Sequence, residues 1–161
     1  MENGHRDIKA IENGTVLDHI PSAALPKIIS VLRLYDLPAS LDGFPVSWTM
    51  GSNFESKKVP GEFKAFIKVM NYYFRKEELD LASLFAPDAT VNIIKSWAVA
   101  EKRKIEVPAR VEKVIKCENP TCITNKPGEP FETSFAVSVE KNAAVLTCKY
   151  CQRNTTQIHL R

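Results

Sequence analysis

The chain has 161 residues, 44% hydrophobic and 25% charged, an ordinary balance for a soluble globular protein and enough for one domain or two small ones. A formal net charge of +3 gives no argument for nucleic acid or an acidic membrane surface. No apolar run approaches the ~20 residues of a membrane span, there is no internal repeat, and His5, His19 and His159 are scattered.

Met1 to Asp7 is polar and reads as a mobile tail without the apolar h-region of a signal peptide, so the expected location is cytoplasmic. Ile8 and Ile11 begin an apolar signal, and Asn13-Gly14 is a turn. Thr15 to Ile20 reads as a strand ended by Pro21. Ser22 is a candidate helix N-cap, and Leu25, Ile28, Ile29 and Leu32 form a helical stripe running to about Leu34. Asp42-Gly43 marks a turn, Val46 to Met50 alternates as a strand, and Gly51-Ser52-Asn53 is a second turn signal. The polar stretch Phe54 to Pro60 is expected to protrude. Phe63 to Phe74 alternates again, with Ala65, Ile67 and Val69 on one face and Lys64 and Lys68 together on the other.

A second helix opens at Arg75-Lys76-Glu77-Glu78, presents Leu81, Leu84 and Phe85, and stops at Pro87. Thr90 to Ile94 is a strand, Lys95-Ser96 a turn, and Trp97 to Val99 a short strand. Strand, helix, strand, strand, helix, strand is the ferredoxin-like βαββαβ order, so the fold class is α+β, with a small all-β domain to follow. The charged run Glu101 to Lys104 and Pro108 place the boundary between domains 1–105 and 106–161. In the second, Lys126-Pro127-Gly128 is a turn, Phe131 to Val139 and Ala143 to Thr147 form a hairpin, and Gln152 to Leu160 is a last strand.

The four cysteines fall into two tight pairs, Cys117 with Cys122 and Cys148 with Cys151, separated by 25 residues. Each short turn can hold two thiolates on one edge of a tetrahedral Zn²⁺. Two disulfides, or four unrelated core cysteines, are the blander alternatives. Disulfides are rare in the cytosol, and the flanks of Cys148 read as strands rather than as the helix of a redox C-x-x-C motif. One closed structural zinc site is therefore expected, stapling a domain of about 55 residues that is small for an unaided core.

In the first domain, Asp18, His19, Lys64, Lys68, Asn92 and Lys102 are polar residues on or near strands. Each alone reads as a solvated face. Together, the lysines and the histidine suit a polyphosphate, and Asp18 could accept from a sugar hydroxyl or a base; a nucleoside triphosphate satisfies both. There is no Walker A loop, no G-x-G-x-x-G and no free nucleophilic cysteine. Asp18 and His19 are neighbours on a strand and so are expected on opposite faces. Binding without catalysis follows.

Gly14-Thr15-Val16-Leu17-Asp18-His19-Ile20-Pro21, Ala86-Pro87-Asp88-Ala89-Thr90-Val91-Asn92, and the C-x4-C and C-K-Y-C pairs with Ser134-Phe135-Ala136-Val137 between them resemble the regulatory chain of aspartate carbamoyltransferase. The resemblance runs from about Ile8 to Leu160. It implies a non-catalytic subunit in pyrimidine biosynthesis, with an allosteric domain for ATP, CTP or UTP and a zinc domain gripping the catalytic chain. It also implies a nucleotide site at Lys9, Ile11, Asp18, His19, Lys64, Lys68, Asn92, Ile94, Trp97, Val99 and Lys102. Lys102, His19 and Lys64 would lie near phosphates, and Asp18 and Lys68 near ribose and base. A homodimer through the N-terminal domain is expected on separate grounds: a ferredoxin-like sheet leaves edge strands unpaired, and Phe44 to Met50, apolar on one side, could pair with a second copy. The competing class is a nucleic-acid-binding zinc ribbon with Phe66, Tyr72 and Trp97 as a stacking platform; the small charge and the missing RNP-type motif argue against it.

Overall fold

The computed structural model describes residues 9–56 and 59–160, so the readings of the Met1 to Asp7 tail and of Ile8 lie outside the described residues. The chain divides into two compact units, Met1–Arg75 with Ala89–Lys104, and Lys76–Asp88 with Ile105–Arg161.

The first unit contains β1 (Gly14–Pro21), α1 (Leu25–Val31), the short strands β2 (Ser40–Leu41) and β3 (Phe44–Pro45), then β4 (Ser47–Glu55) and β5 (Phe63–Met70). After α2 (Lys76–Ser83) come β6 (Thr90–Lys95) and β7 (Ala98–Lys104). Five strands form one antiparallel sheet in the order β4-β5-β1-β6-β7. That is the ferredoxin-like order with β7 added at one edge. The alternation in β5 sets its faces: Ala65, Ile67 and Val69 are buried, and Lys64, Phe66, Lys68 and Met70 are half-exposed on the other side. Leu17 and Ile20 of β1, Val91 of β6, and Leu25, Ile28, Val31 and Leu32 in and after α1 are likewise buried. Gly14 is required where it stands. Its φ is +138°, and a Cβ there would sit 2.0 Å from the Val69 carbonyl oxygen.

Several expected boundaries move. Strand β5 ends at Met70 rather than Phe74, because Asn71 turns to φ +56° and gives its N–H to the Asn13 carbonyl. Gly51-Ser52-Asn53 is not a turn: β4 runs through it with a bulge between Gly51 and Phe54. The Asn53 N–H donates to Ser22 Oγ, so Ser22 ties β4 instead of capping α1, which has no side-chain cap. The charged run Glu101 to Lys104 is the end of edge strand β7, where exposed charge guards against unwanted pairing.

The second unit holds α2, β8 (Arg110–Glu112), β9 (Ser134–Glu140), β10 (Ala143–Cys148) and β11 (Asn154–Thr155), with the sheet order β11-β10-β9-β8. Lys141 and Asn142, both at positive φ, make the two-residue turn between β9 and β10. The expected last strand shrinks to Asn154–Thr155 and a single bridge between Ile115 and Leu160. Val111, Ile115, Phe135, Leu146 and Ile158 pack around the cysteines, joined by Leu84, with Leu81 and Phe85 against them. Leu81 of α2 and Leu84 and Phe85 just after it thus face this core, while the residues buried along α2 itself, Leu79, Ala82 and Ser83, are not among those packed around the cysteines.

Candidate metal centre and ligand face

Cys117 and Cys122 lie in the loop between β8 and β9; Cys148 ends β10, and Cys151 sits in the turn that follows. All four are free thiols, which removes the disulfide reading. Their sulfurs lie within 4.8 Å of one another, and among the described residues they are the grouping able to hold a metal. A tetrahedral zinc with Zn–S near 2.3 Å requires sulfurs ~3.8 Å apart. Cys117 and Cys151 are separated by 3.7 Å, and Cys122 and Cys148 by 3.9 Å. The four sulfurs therefore suit one zinc ion, with no position left for a reactive water.

Burial pushes the Cys117 thiol up to about 12, against the backbone N–H of Asn119. Burial also raises Cys148, opposed by the N–H groups of Cys151 and Tyr150. At the half-exposed Cys151 burial is outweighed by the Arg153 N–H and the Asn119 side chain, and the thiol falls to about 7. Binding of a cation must displace the remaining thiol protons. The first cysteine loop is braced by the Asn125 side-chain amide, which donates to the carbonyls of Cys117 and Asn119, each at 2.8 Å.

In the first unit the strand register lays out the outer face of the sheet. Thr49, Lys68, Val16, Asn92 and Lys102 are successive cross-strand partners, so they form one row across all five strands. The neighbouring row runs through Ser47, Met70, Gly14, Ile94 and Val99. The segment before β1 closes this end. The Lys9 carbonyl accepts from Lys68 Nζ at 2.9 Å, the Glu12 carbonyl from the Trp97 N–H, and Asn13 Oδ1 from the Ser96 N–H. Burial lowers the pKa of Lys68 from its ordinary value.

The other end of the face holds Asp18, His19 and Lys64. Here the opposite-face expectation for Asp18 and His19 fails. Between Leu17 and Ile20, β1 spends two residues against one of β5, and His19 adopts φ +60°. This bulge brings the pair together. Asp18 Oδ1 accepts from the His19 N–H at 2.7 Å and lies 3.7 Å from Lys64 Nζ, while His19 Nδ1 is 3.3 Å from Thr90 Oγ1. Thr90 and Lys104, cross-strand partners in the next row, are polar groups on this face that the sequence did not single out. Spacing alone could have suggested Lys104, two residues after Lys102.

A cavity of about 610 Å³ opens over β4 and β5, bounded by Lys9, Ile11, Met50, Phe54, Phe66 and Lys68 among others. It gathers three of the expected site residues; Asp18, His19, Lys64, Asn92, Ile94, Trp97, Val99 and Lys102 lie outside its lining. Trp97 and Val99 are exposed. The aromatic residues do not make one platform: Phe66 pairs with Phe54, and Tyr72 with Phe74.

The family model described as "Aspartate carbamoyltransferase regulatory chain, allosteric domain" matches residues 6–106, and that described as the same chain's metal binding domain matches residues 109–160. The chain is 39% identical over 150 residues to the aspartate carbamoyltransferase regulatory chain of Phocaeicola vulgatus, covering 93% of this chain and 89% of that one. It is 38% identical over 157 residues to that of Thermoplasma volcanium, covering 98% and 97%, and 36% identical over 154 residues to that of Methanopyrus kandleri, covering 96% and 92%. With a metal-binding unit built on four sulfurs and a sheet unit matching the allosteric domain, the chain belongs to the aspartate carbamoyltransferase regulatory chain family, as a regulatory rather than a catalytic subunit.

Proposed function

We propose that the outer sheet face binds ATP, CTP or UTP as allosteric effectors, and that the zinc-bearing unit holds the catalytic chain of aspartate carbamoyltransferase. The observation that carries this reading is the shared face of Lys64, Lys68 and Lys102, with His19 and Asp18 at one end and Ile94 and Val99 at the other. A triphosphate needs several cations in partial burial to offset its lost hydration, whereas a base needs an apolar neighbour. Lys68 and Lys102 stand three strand spacings apart, roughly 14 Å at ~4.8 Å each. An elongated ligand, rather than an isolated phosphate, suits that separation. The effector acts only if it binds two states of the assembly with different affinity, with a usual coupling of ~1–3 kcal/mol.

The remaining parts of the reading follow from exposed surface. Tyr35, Leu41, Phe44 and Met50 are large apolar residues left exposed on or beside edge strand β4. Pairing of this edge with a second copy would cover them and give a two-fold homodimer. A cytoplasmic location accords with free thiols in a metal site.

Calorimetry with ATP, CTP and UTP on the full chain, its Lys68→Ala variant and its Lys102→Ala variant tests the site. Activity of the reconstituted holoenzyme then tests the regulation. Lys102→Ala should weaken triphosphate binding, and Lys68→Ala should weaken binding or uncouple it from activity. Unchanged affinity in both variants would remove the site from this face. Binding without any change in activity would remove the regulatory role.

A further inference from the structure

We infer that Thr124 is a positioning residue of the metal centre, whose hydroxyl orients the Cys122 sulfur toward the metal and slows metal loss. Thr124 Oγ1 donates to Cys122 Sγ at 3.2 Å. Both residues are buried, Thr124 at 5% exposure and Cys122 at 2%, so water does not compete for the bond. Cys117 and Cys148 receive backbone N–H groups, which any side chain at the donor positions would leave in place, and Cys151 receives a backbone N–H together with the Asn119 side chain. At Cys122 a donor is a side chain, so the residue chosen at position 124 decides whether that bond exists.

The hydroxyl is held rigidly. Thr124 sits in the short 3₁₀ turn Ile123–Asn125 that follows Cys122 directly. The turn is closed by the Asn125 N–H on the Cys122 carbonyl at 2.9 Å, and the Asn125 side chain ties it to Cys117 and Asn119. Four thiolates around Zn²⁺ leave a net charge of −2 in a largely buried site. A hydrogen bond to an ionised sulfur is among the stronger kinds. It draws electron density from the Cys122 sulfur and fixes the direction of its remaining lone pairs, so both the metal–sulfur bond and the approach of competing electrophiles respond to it.

The test uses the full chain loaded with zinc, and separately with Co²⁺. Zinc transfer to the chelator 4-(2-pyridylazo)resorcinol is timed, and the thiolate-to-cobalt charge-transfer band is recorded. Thr124→Val keeps the shape and removes the donor. It should release zinc about 10-fold faster or more, the usual scale for loss of an outer hydrogen bond to a metal ligand, and should move the cobalt band to longer wavelength. Thr124→Ser should restore both. Equal release rates and an unmoved band in Thr124→Val would overturn the assignment. Should Thr124→Val fail to fold, the Ser and Ala variants, which differ by the hydroxyl alone, carry the comparison. A gap between them supports the role of the hydroxyl, and identical release refutes it. The inference rests on the four-sulfur metal centre; a wild-type chain that holds no zinc would overturn that centre itself.

Discussion

Removal of the metal should unfold the second unit and leave the first intact. Six large apolar side chains make up most of its core: Leu84, Val111, Ile115, Phe135, Leu146 and Ile158. At ~1.5–3 kcal/mol each, their burial contributes roughly 9–18 kcal/mol before any entropy cost. A structural zinc supplies ~10–16 kcal/mol in small metal domains, so the ion rivals the entire apolar core. The cysteines also lie inside that core, with Cys148 fully buried. Cys148→Ala therefore removes a ligand and opens a void in the same place. Both tryptophans, Trp48 and Trp97, belong to the first unit, so their fluorescence does not report the transition. Amide hydrogen exchange does. After chelation, or in Cys148→Ala, amides of β9 and β10 should lose protection while those of β1 and β5 keep theirs. Attachment to the catalytic chain should be lost in the same step. Protected β9 and β10 amides in the metal-free chain, or stoichiometric zinc in Cys148→Ala, would refute the reasoning.

Gly14→Ala should destabilise the first unit by at least about 2 kcal/mol, since φ +138° and the Val69 carbonyl oxygen both oppose a Cβ; urea unfolding followed by tryptophan fluorescence measures it, and an unchanged midpoint would contradict the close approach. Effector affinity should fall as pH rises toward the lysine range. Burial lowers Lys68 below 10.5, so its charge, and with it its hold on the ligand, is present at low pH and is lost earlier on the alkaline side than for an ordinary lysine. Lys68→Arg, which stays protonated, should flatten that decline in calorimetry, and a parallel decline in the variant would exclude Lys68 as its source. Phe44→Glu should convert a sedimenting dimer into a monomer at micromolar concentration; a persistent dimer would place the interface elsewhere.

The sequence by itself determined what depends on local spacing. Two short cysteine pairs must each offer two thiolates at one place, and the only open matter was how the pairs meet. In β5 a period of two left no choice of face once Ala65, Ile67 and Val69 were buried, so Lys64 and Lys68 were bound to share the other side. Strand and helix order followed from the same periodicities. Tertiary structure decided whatever depends on which strand lies alongside. A bulge exists only relative to a partner: β1 has two residues opposite one of β5, and that mismatch turns Asp18 and His19 from opposite faces into one cluster with Lys64. Gly51-Ser52-Asn53 carries turn chemistry, yet pairing with β5 and the Ser22 hydroxyl keep it in a strand. Leu81, Leu84 and Phe85 announced an apolar face without naming its core, because amphipathicity specifies that a face is covered and not by what. Lys102 and Asn92 are ten residues apart in sequence, and only the register of β6 against β7 makes them neighbours in one row with Lys68.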